Sequence, residues 1–124
     1  MTKGSFNWQK KTAIFIGRFQ PFHQGHKMLF LNALKKNKQV TILVMDSYKI
    51  NNKNPFKFNF VKNKIQKSLK KYDNKFTIIK IPVVSEVVYG RKVGYKFRKV
   101  NLPKTVQKIS ATNIRKKLSK NEKN

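Results

Sequence analysis

The sequence contains no cysteine and very few acidic side chains. Without cysteine it can form neither a disulfide framework nor a thiolate metal site. It has only four aspartate and glutamate residues and two histidines, so few side chains could ligate a metal. No apolar run approaches the roughly 18 residues that a membrane-spanning helix needs. The opening stretch, MTKGSFNWQK, lacks the apolar core of a secretory signal. These absences predict a cytoplasmic protein.

Basic side chains are correspondingly abundant. Thirty lysine and arginine residues against four acids give a formal net charge of +26 at pH 7. A charge of this size suggests an anionic partner, and non-specific nucleic-acid binding at low salt is expected from electrostatics alone. The lysines are spread along the whole chain, however, and lysine and asparagine are residues that a biased base composition enriches. Binding and genome composition are both open explanations of the charge.

The order of apolar segments predicts an α/β fold. A chain of 124 residues is long enough for a single core. Short apolar runs predict strands over 12–16, 39–45, 76–82, 85–90 and 95–102. Apolar residues at helical spacing predict helices from His26 or Lys27 to Lys36, from Phe58 to Tyr72, and after Ser110. This alternation favours one domain with a Rossmann-like open parallel sheet of about five strands flanked by helices. We expect the domain to cover 11–119, with flexible tails at 1–10 and 120–124.

Residues 17–26, GRFQPFHQGH, lie where the first predicted strand meets the first predicted helix. Pro21 disfavours a helix before it, so 18–23 is predicted to be a loop. Ligands of open α/β sheets bind beyond the carboxyl ends of the strands, and helix N-termini attract phosphate. His23 and His26 would direct N–H donors at a phosphate that gains charge during phosphoryl transfer. Arg18 offers forked contacts, and Gly25 allows close approach of the backbone.

Two other interpretations of the histidine pair remain open from its spacing alone. Histidines three residues apart could bind a metal, but the chain has no cysteine and few carboxylates to complete such a site. They could also be ordinary surface residues at the start of a helix.

A second motif, ISATNIR at 109–115, opens the last predicted helix. Ser110 can cap that helix, and Ser110 and Thr112 present hydroxyls beside its free N–H groups. Arg115 adds a cation one turn further on. Taken alone, the segment is better explained as an ordinary capped amphipathic helix with Arg115 in solvent.

Together the two motifs resemble the HxGH and ISxTxIR signatures of the nucleotidyltransferase superfamily, whose members carry a cytidylyltransferase-like domain. GRFQPFHQGH is most similar to the form found in archaeal-type nicotinamide mononucleotide adenylyltransferases. NPF at 54–56 is similar to a segment before the second helix of those enzymes. The resemblance implies an enzyme that transfers AMP, or alternatively CMP, from a nucleoside triphosphate to a phosphorylated small molecule and releases pyrophosphate. Mg²⁺ would arrive largely with the triphosphate.

The resemblance also implies roles for individual residues. His23, His26 and Arg115 would be catalytic, with His26 stabilising the α-phosphate. The nucleotide-binding residues would be Gly17, Arg18, Phe19, Gln20, Gly25, Ser110 and Thr112. Further acceptor or nucleotide contacts are predicted at Asp46 and Asn54. Arg91 is a third candidate because of the positive charge of its segment and not because of the resemblance, and a plain β-turn explains that segment at least as well. No metal ligand is certain, although Asp46 is the one well-placed carboxylate.

Two segments depart from the family pattern and leave the acceptor open. KFNFVKNK, after NPF, lacks the acidic residue and the arginine with which that helix usually opens. VVYGRKVGYKF replaces the usual fourth strand and its loop. Nicotinamide mononucleotide, phosphopantetheine, glycerol phosphate and other sugar phosphates all remain candidates. A homo-oligomer is possible, because relatives often assemble.

Two alternative functions belong to other classes. One is a non-catalytic derivative of the same fold that binds a nucleotide or a nucleic acid. The other is a fragment related to class I aminoacyl-tRNA synthetases, which share an HIGH-type motif. The chain is too short for tRNA handling, and ISATNIR stands in place of a KMSKS-like loop.

Overall fold

The computed structural model describes residues 6–46, 50, 55–91 and 94–102. These form strands β1 (Ala13–Gly17), β2 (Val40–Met45) and β3 (Phe76–Ile81), helices α1 (Gln24–Lys36) and α2 (Phe58–Ser68), and a 3₁₀ helix (Lys70–Lys75). The strands make one parallel sheet in the order β1–β2–β3. The expected α/β architecture with a helix-flanked parallel sheet is confirmed. No helix in the described part of the chain is both long and apolar enough to cross a membrane.

The hydrophobic core lies between one face of the sheet and the two helices. Val40, Ile42 and Val44 of β2 share that face and are fully buried. They cluster with Phe30 of α1 and Ile65 of α2, so both helices cover the same side. This follows from the topology, since successive right-handed crossovers in one direction place both helices on one face. The remaining buried apolar residues are Phe19, Phe22, Val61, Leu69 and Phe76.

Helix α1 begins earlier than the sequence predicted. We expected it to start at His26 or Lys27, but it starts at Gln24 because the His23 imidazole accepts the backbone N–H of Gly25 and caps the helix. At the other end, both the backbone N–H and the side-chain amide of Asn37 donate to the carbonyl of Ala33. The last turn carries basic residues, which suit the negative end of the helix dipole.

Helix α2 is shorter than its apolar stripe suggested. The predicted helix reached Tyr72, whereas the α-helix ends at Ser68 and gives way to a 3₁₀ turn. Leu69 leaves helical geometry, with φ −109° and ψ 19°, and the N–H of Tyr72 bonds to its carbonyl at 2.8 Å. Leu69 is buried and Tyr72 packs against the core, because the tighter turn keeps both side chains facing it.

The two strands predicted over 85–90 and 95–102 are wrong within the described residues. Residues 82–91 and 94–102 have no regular secondary structure, and almost all of them are exposed. A strand needs a pairing partner and a buried face, and these apolar residues have no buried face. The described sheet therefore has three strands instead of about five. The helix predicted after Ser110 lies outside the described residues.

Gln39 connects the N-terminal segment to the sheet. Its side-chain amide donates to the carbonyls of Asn7 and Lys10, at 2.8 and 3.1 Å, and accepts the N–H of Asn7 at 3.0 Å. Buried amides are stable when they are hydrogen-bonded in this way. Residues 7–10 are thereby held beside the start of β2.

Candidate functional site

The candidate site lies at the carboxyl edge of the sheet. β1 ends at Gly17, the loop 18–23 follows, and α1 begins at Gln24. In the parallel register Gly17 aligns with Val44, so β2 ends beside it and Asp46 follows at the same edge. The N–H of Asp46 donates to the carbonyl of Ile81 at 2.9 Å. All three strands thus end at the edge where open α/β sheets bind ligands.

His23 and His26 form a reciprocal capping box at the start of α1. Nδ1 of His23 accepts the N–H of Gly25 at 3.0 Å, and Nδ1 of His26 accepts the N–H of His23 at 3.2 Å. A capping box commonly pairs Ser or Thr at the N-cap with Glu or Gln three residues later. Here His23 takes the place of the first residue and His26 that of the second. Their rings are stacked, with centroids 3.8 Å apart and planes inclined by 27°.

These hydrogen bonds determine the tautomer of each ring. A nitrogen that accepts a hydrogen bond carries no proton, so the proton of each neutral imidazole lies on Nε2. Nε2 is on the other side of the ring from the backbone that Nδ1 contacts. The start of α1 therefore presents two Nε2–H donors from side chains in addition to its own free N–H groups.

Burial keeps both imidazoles neutral at physiological pH. It lowers the pKa of His23 below its usual 6.5. It also lowers the pKa of His26 to about 3, because the ring is largely removed from water and a charge on His23 would repel a second charge beside it. The pair therefore acts on an anion through directed hydrogen bonds rather than as two cations.

Aromatic side chains fix the position of His26. The ring of Phe19 meets it edge to face, with centroids 4.9 Å apart, and the ring of Phe22 stacks on it at 5.5 Å. Phe19 and Phe22 are themselves buried. Phe19 has a φ of +53°, an unfavourable backbone conformation for a bulky residue. Strain of this kind at a site is retained when the surrounding structure enforces it.

Gly17 makes room for that arrangement. A Cβ at this position would lie 2.8 Å from two carbons of the Phe19 ring, closer than such atoms approach. Only glycine therefore allows the chain to leave β1 and fold Phe19 back over its end. This packing gives Gly17 a structural role besides the nucleotide contact predicted from the sequence.

Gln20 ties the loop to the segment before α2. Its side chain donates to the carbonyl of Phe56 at 3.0 Å and accepts the N–H of Phe56 at 2.9 Å, as a neighbouring strand would. Gln20 is buried. The sequence predicted a contact between Gln20 and the phosphates of a nucleotide, and that contact stays a prediction.

The electrostatic setting of the helix start favours an anion. The first turn of α1 contains no acidic residue that would offset the positive end of the helix dipole. Arg18 is exposed in the loop directly before it. Gly25 is buried within the first turn, where its N–H is already bound to His23.

The described residues do not form a resident metal site. They contain no cluster of three or more His, Asp or Glu side chains that could hold a metal ion. Asp46 pairs with Lys80, with 3.6 Å between Oδ2 and Nζ. Among the described residues at this edge of the sheet, a metal bound to a substrate could therefore contact at most the carboxylate of Asp46, which already pairs with Lys80.

The other predicted site residues are not brought together in the described part of the chain. Arg91 is exposed in the segment without secondary structure. Asn54, Ser110, Thr112 and Arg115 lie outside the described residues.

The sequence did not predict the supporting roles of Phe22, Lys80 and Phe56, although Phe56 is part of the NPF segment identified above. The first of these had a detectable signal, because aromatic rings at positions 19, 22 and 26 share one side of a turn that enters a helix. The contact of Phe56 with Gln20 uses only its backbone and leaves no trace in the sequence.

The first half of the chain matches a known protein family. Residues 14–67 match the model of the cytidylyltransferase-like family. No curated protein matches the sequence.

Two solved structures are also similar. Both are crystal structures of a bifunctional NMN adenylyltransferase/ADP ribose pyrophosphatase from Francisella tularensis, one of them complexed with AMP and a manganese ion. Each is 34% identical to this chain, with a TM-score of 0.54. The aligned part covers 58% of this chain but only 22% of that longer protein. Residues 14–67 are thus similar to a cytidylyltransferase-like region, and the parallel α/β part of the chain resembles NMN adenylyltransferase structures, which is the likeness expected of the nucleotidyltransferase superfamily.

Proposed function

We propose that this protein transfers a nucleotidyl group from a nucleoside triphosphate to a phosphorylated small molecule and releases pyrophosphate. The observation that carries the proposal is the histidine pair at the start of α1. Both Nδ1 atoms are occupied by backbone N–H groups, so two neutral Nε2–H donors remain for a polyphosphate. Such donors stabilise charge as it develops on phosphate oxygens.

In the proposed reaction, a phosphate oxygen of the acceptor attacks the α-phosphorus. The bond from that phosphorus to the β-phosphate oxygen breaks, and pyrophosphate leaves with the electron pair. No covalent bond to the protein forms, so the protein contributes positioning and charge stabilisation. His26 donates to an α-phosphate oxygen, and its place is fixed by the rings of Phe19 and Phe22.

The other phosphate contacts follow the superfamily pattern. His23 and Arg18 lie along the triphosphate beside His26. Ser110, Thr112 and Arg115, outside the described residues, bind the β- and γ-phosphates. Asp46, Asn54 and Arg91 remain candidates for contacts to the nucleotide or the acceptor. A divalent metal enters as part of the metal–nucleotide substrate, because the described residues do not cage one.

ATP is the favoured nucleotide. The GRFQP form of the first motif and the likeness to a structure complexed with AMP both support it. Transfer of CMP is the alternative, supported by the cytidylyltransferase-like match.

A ligand screen followed by an acceptor panel tests the proposal. ATP and CTP, each with Mg²⁺, are compared for the rise in melting temperature that binding to the native state produces. The nucleotide that binds is then incubated with nicotinamide mononucleotide, phosphopantetheine, glycerol phosphate and other sugar phosphates, and pyrophosphate is measured. We expect ATP to bind and one acceptor to give turnover. Failure of both nucleotides to bind, with no turnover across the panel, would contradict the proposal.

A further inference from the structure

A group of exposed aromatic rings lies in the segment that follows β3. The side chains of Tyr89, Tyr95 and Phe97 are 58%, 48% and 67% exposed. The Phe97 ring centroid is 5.7 Å from that of Tyr89 and 5.7 Å from that of Tyr95, so the three rings form one surface cluster. We call these three residues the aromatic strip.

The faces of these rings are not used up by contacts among themselves. The planes of Tyr89 and Phe97 are inclined by 40°, and those of Tyr95 and Phe97 by 72°. Neither pair stacks face to face. Ring faces therefore remain for another flat, polarisable group.

Exposed cations flank the residues of the aromatic strip in the sequence. Arg91, Lys96, Arg98 and Lys99 are exposed and alternate with the aromatic residues along the chain. Arg98 donates through Nη1 to the side-chain oxygen of Asn32 on α1. This contact links the segment to α1, and the Arg98 guanidinium has further donors for a ligand.

Clustered exposed apolar side chains mark an interaction surface, and the charge indicates which partner fits it. A second copy of the chain would bring +26 against +26, which opposes association. A polyanion is attracted instead. Among polyanions, single-stranded nucleic acid also offers flat bases that stack on aromatic side chains. Duplexes keep their bases stacked inside and offer only phosphates and groove edges to such rings.

We propose that the aromatic strip binds single-stranded nucleic acid. Bases stack on Tyr89, Tyr95 and Phe97, and the neighbouring cations contact the phosphates. The three rings have no part in the proposed nucleotidyl transfer, and of the residues invoked here only Arg91 is also a candidate contact for that reaction.

Fluorescence anisotropy of the full chain with a labelled oligouridylate, and with an oligothymidylate of equal length, tests the proposal. Stacking predicts that Phe97→Ala weakens binding roughly five- to a hundredfold, and Tyr89→Ala similarly. Trp8→Ala is the matched control, since this ring is 73% exposed and lies outside the strip. All these variants keep the same net charge, so the purely electrostatic part of binding is unchanged. We expect Trp8→Ala to bind like the wild type.

Several results would overturn the proposal. Equal affinities of wild type and Phe97→Ala, with loss of all binding between about 50 and about 200 mM salt, would make the association electrostatic only. The same conclusion would follow if inorganic polyphosphate displaced the labelled oligonucleotide as well as an unlabelled oligonucleotide does at the same phosphate concentration. A dimer of the wild type that Phe97→Ala dissociates in sedimentation would assign the strip to self-association. If Phe97→Ala fails to fold, the ring-proton shifts of Phe97 in the wild-type chain decide, because a stacked base moves them upfield and a phosphate contact does not.

Discussion

His23 and His26 contact each other through both backbone and rings. The N–H of His23 donates to Nδ1 of His26 at 3.2 Å, and the ring centroids are 3.8 Å apart. The contacts that start α1 are therefore the contacts that leave Nε2–H available to a ligand. A substitution that removes an imidazole also removes part of the helix cap, unless the new side chain can replace it.

The variant His26→Gln removes the imidazole but can keep the helix cap, because Gln is a usual partner in a capping box. It therefore distinguishes a catalytic effect of His26 from a structural one. We expect His26→Gln and His26→Ala to lose about 10²- to 10³-fold in kcat for nucleotidyl transfer, as when one transition-state donor is removed. Only the alanine variant should lose a further ~1 kcal/mol of stability through the unpaired N–H of His23. Steady-state kinetics and urea denaturation measure the two effects. A wild-type kcat in His26→Gln would exclude a catalytic role for the ring.

Protonation of the histidine pair predicts a loss of stability in mild acid. The native pKa of His26 is lowered from 6.5 to about 3, and that of His23 is also lowered. Below pH 6.5 the unfolded chain therefore binds protons that the native chain does not. Stability falls as pH drops from 6.5 towards 3, with a slope of at most about 1.4 kcal/mol per pH unit for each histidine.

The melting temperature as a function of pH measures this effect, and the composition leaves few other groups that could contribute to it. The chain has only two histidines and four acidic residues, so little else titrates between pH 6.5 and about 5. The control is the double variant with His23→Asn and His26→Gln, whose new side chains can still cap the helix. Its melting temperature should hardly change with pH over that range. If its acid sensitivity equals that of the wild type, the native imidazoles titrate normally.

The contact between Gly17 and Phe19 predicts a large effect of one methyl group. Gly17→Ala would place Cβ 2.8 Å from the buried Phe19 ring, so we expect a loss of about 1–3 kcal/mol. Gly90→Ala is the matched control, because a Cβ there meets nothing within 4 Å. It should lie within about 0.5 kcal/mol of wild type. Equal stabilities of the two variants in urea denaturation would show that Phe19 does not pack as described.

The pairing of Gln20 with Phe56 predicts a local effect on hydrogen exchange. In Gln20→Ala the N–H of Phe56 loses its acceptor, so its protection factor should fall. The loss of two partly buried hydrogen bonds should also cost about 1–3 kcal/mol. Gln66→Ala, at an exposed position of α2, serves as the control. Unchanged protection of the Phe56 N–H would mean that another group holds this segment.

The elements near the candidate site were predictable because their patterns are strong. The runs that became β1, β2 and β3 are bounded by turn residues or charges, and the helices between them have apolar residues on one face. Those features sufficed for the parallel α/β architecture. They also located the histidine pair at the junction of β1 and α1, since Gly17 and Pro21 restrict where the strand ends and the helix begins.

The features that could not be predicted from the sequence depend on tertiary contacts. Helix α1 starts at Gln24 because of a cap made by an imidazole, a residue not expected to cap a helix. Segments 85–90 and 95–102 have strand-like composition, but composition does not say whether a partner strand and a buried face exist. The neutral state of His26 likewise follows from its burial beside Phe19 and Phe22, which no sequence pattern reveals.

Long-range proton–nitrogen NMR of the two histidines shows directly whether two neutral imidazoles donate Nε2–H to a nucleotide's phosphates. At pH 7 we expect both rings to give the pattern of the Nε2–H tautomer, and both Nε2 signals to move when ATP with Mg²⁺ is added. Nε2 signals that stay in place while the nucleotide is bound, or rings that are protonated on both nitrogens, would show that the neutral histidine pair does not bind the phosphates.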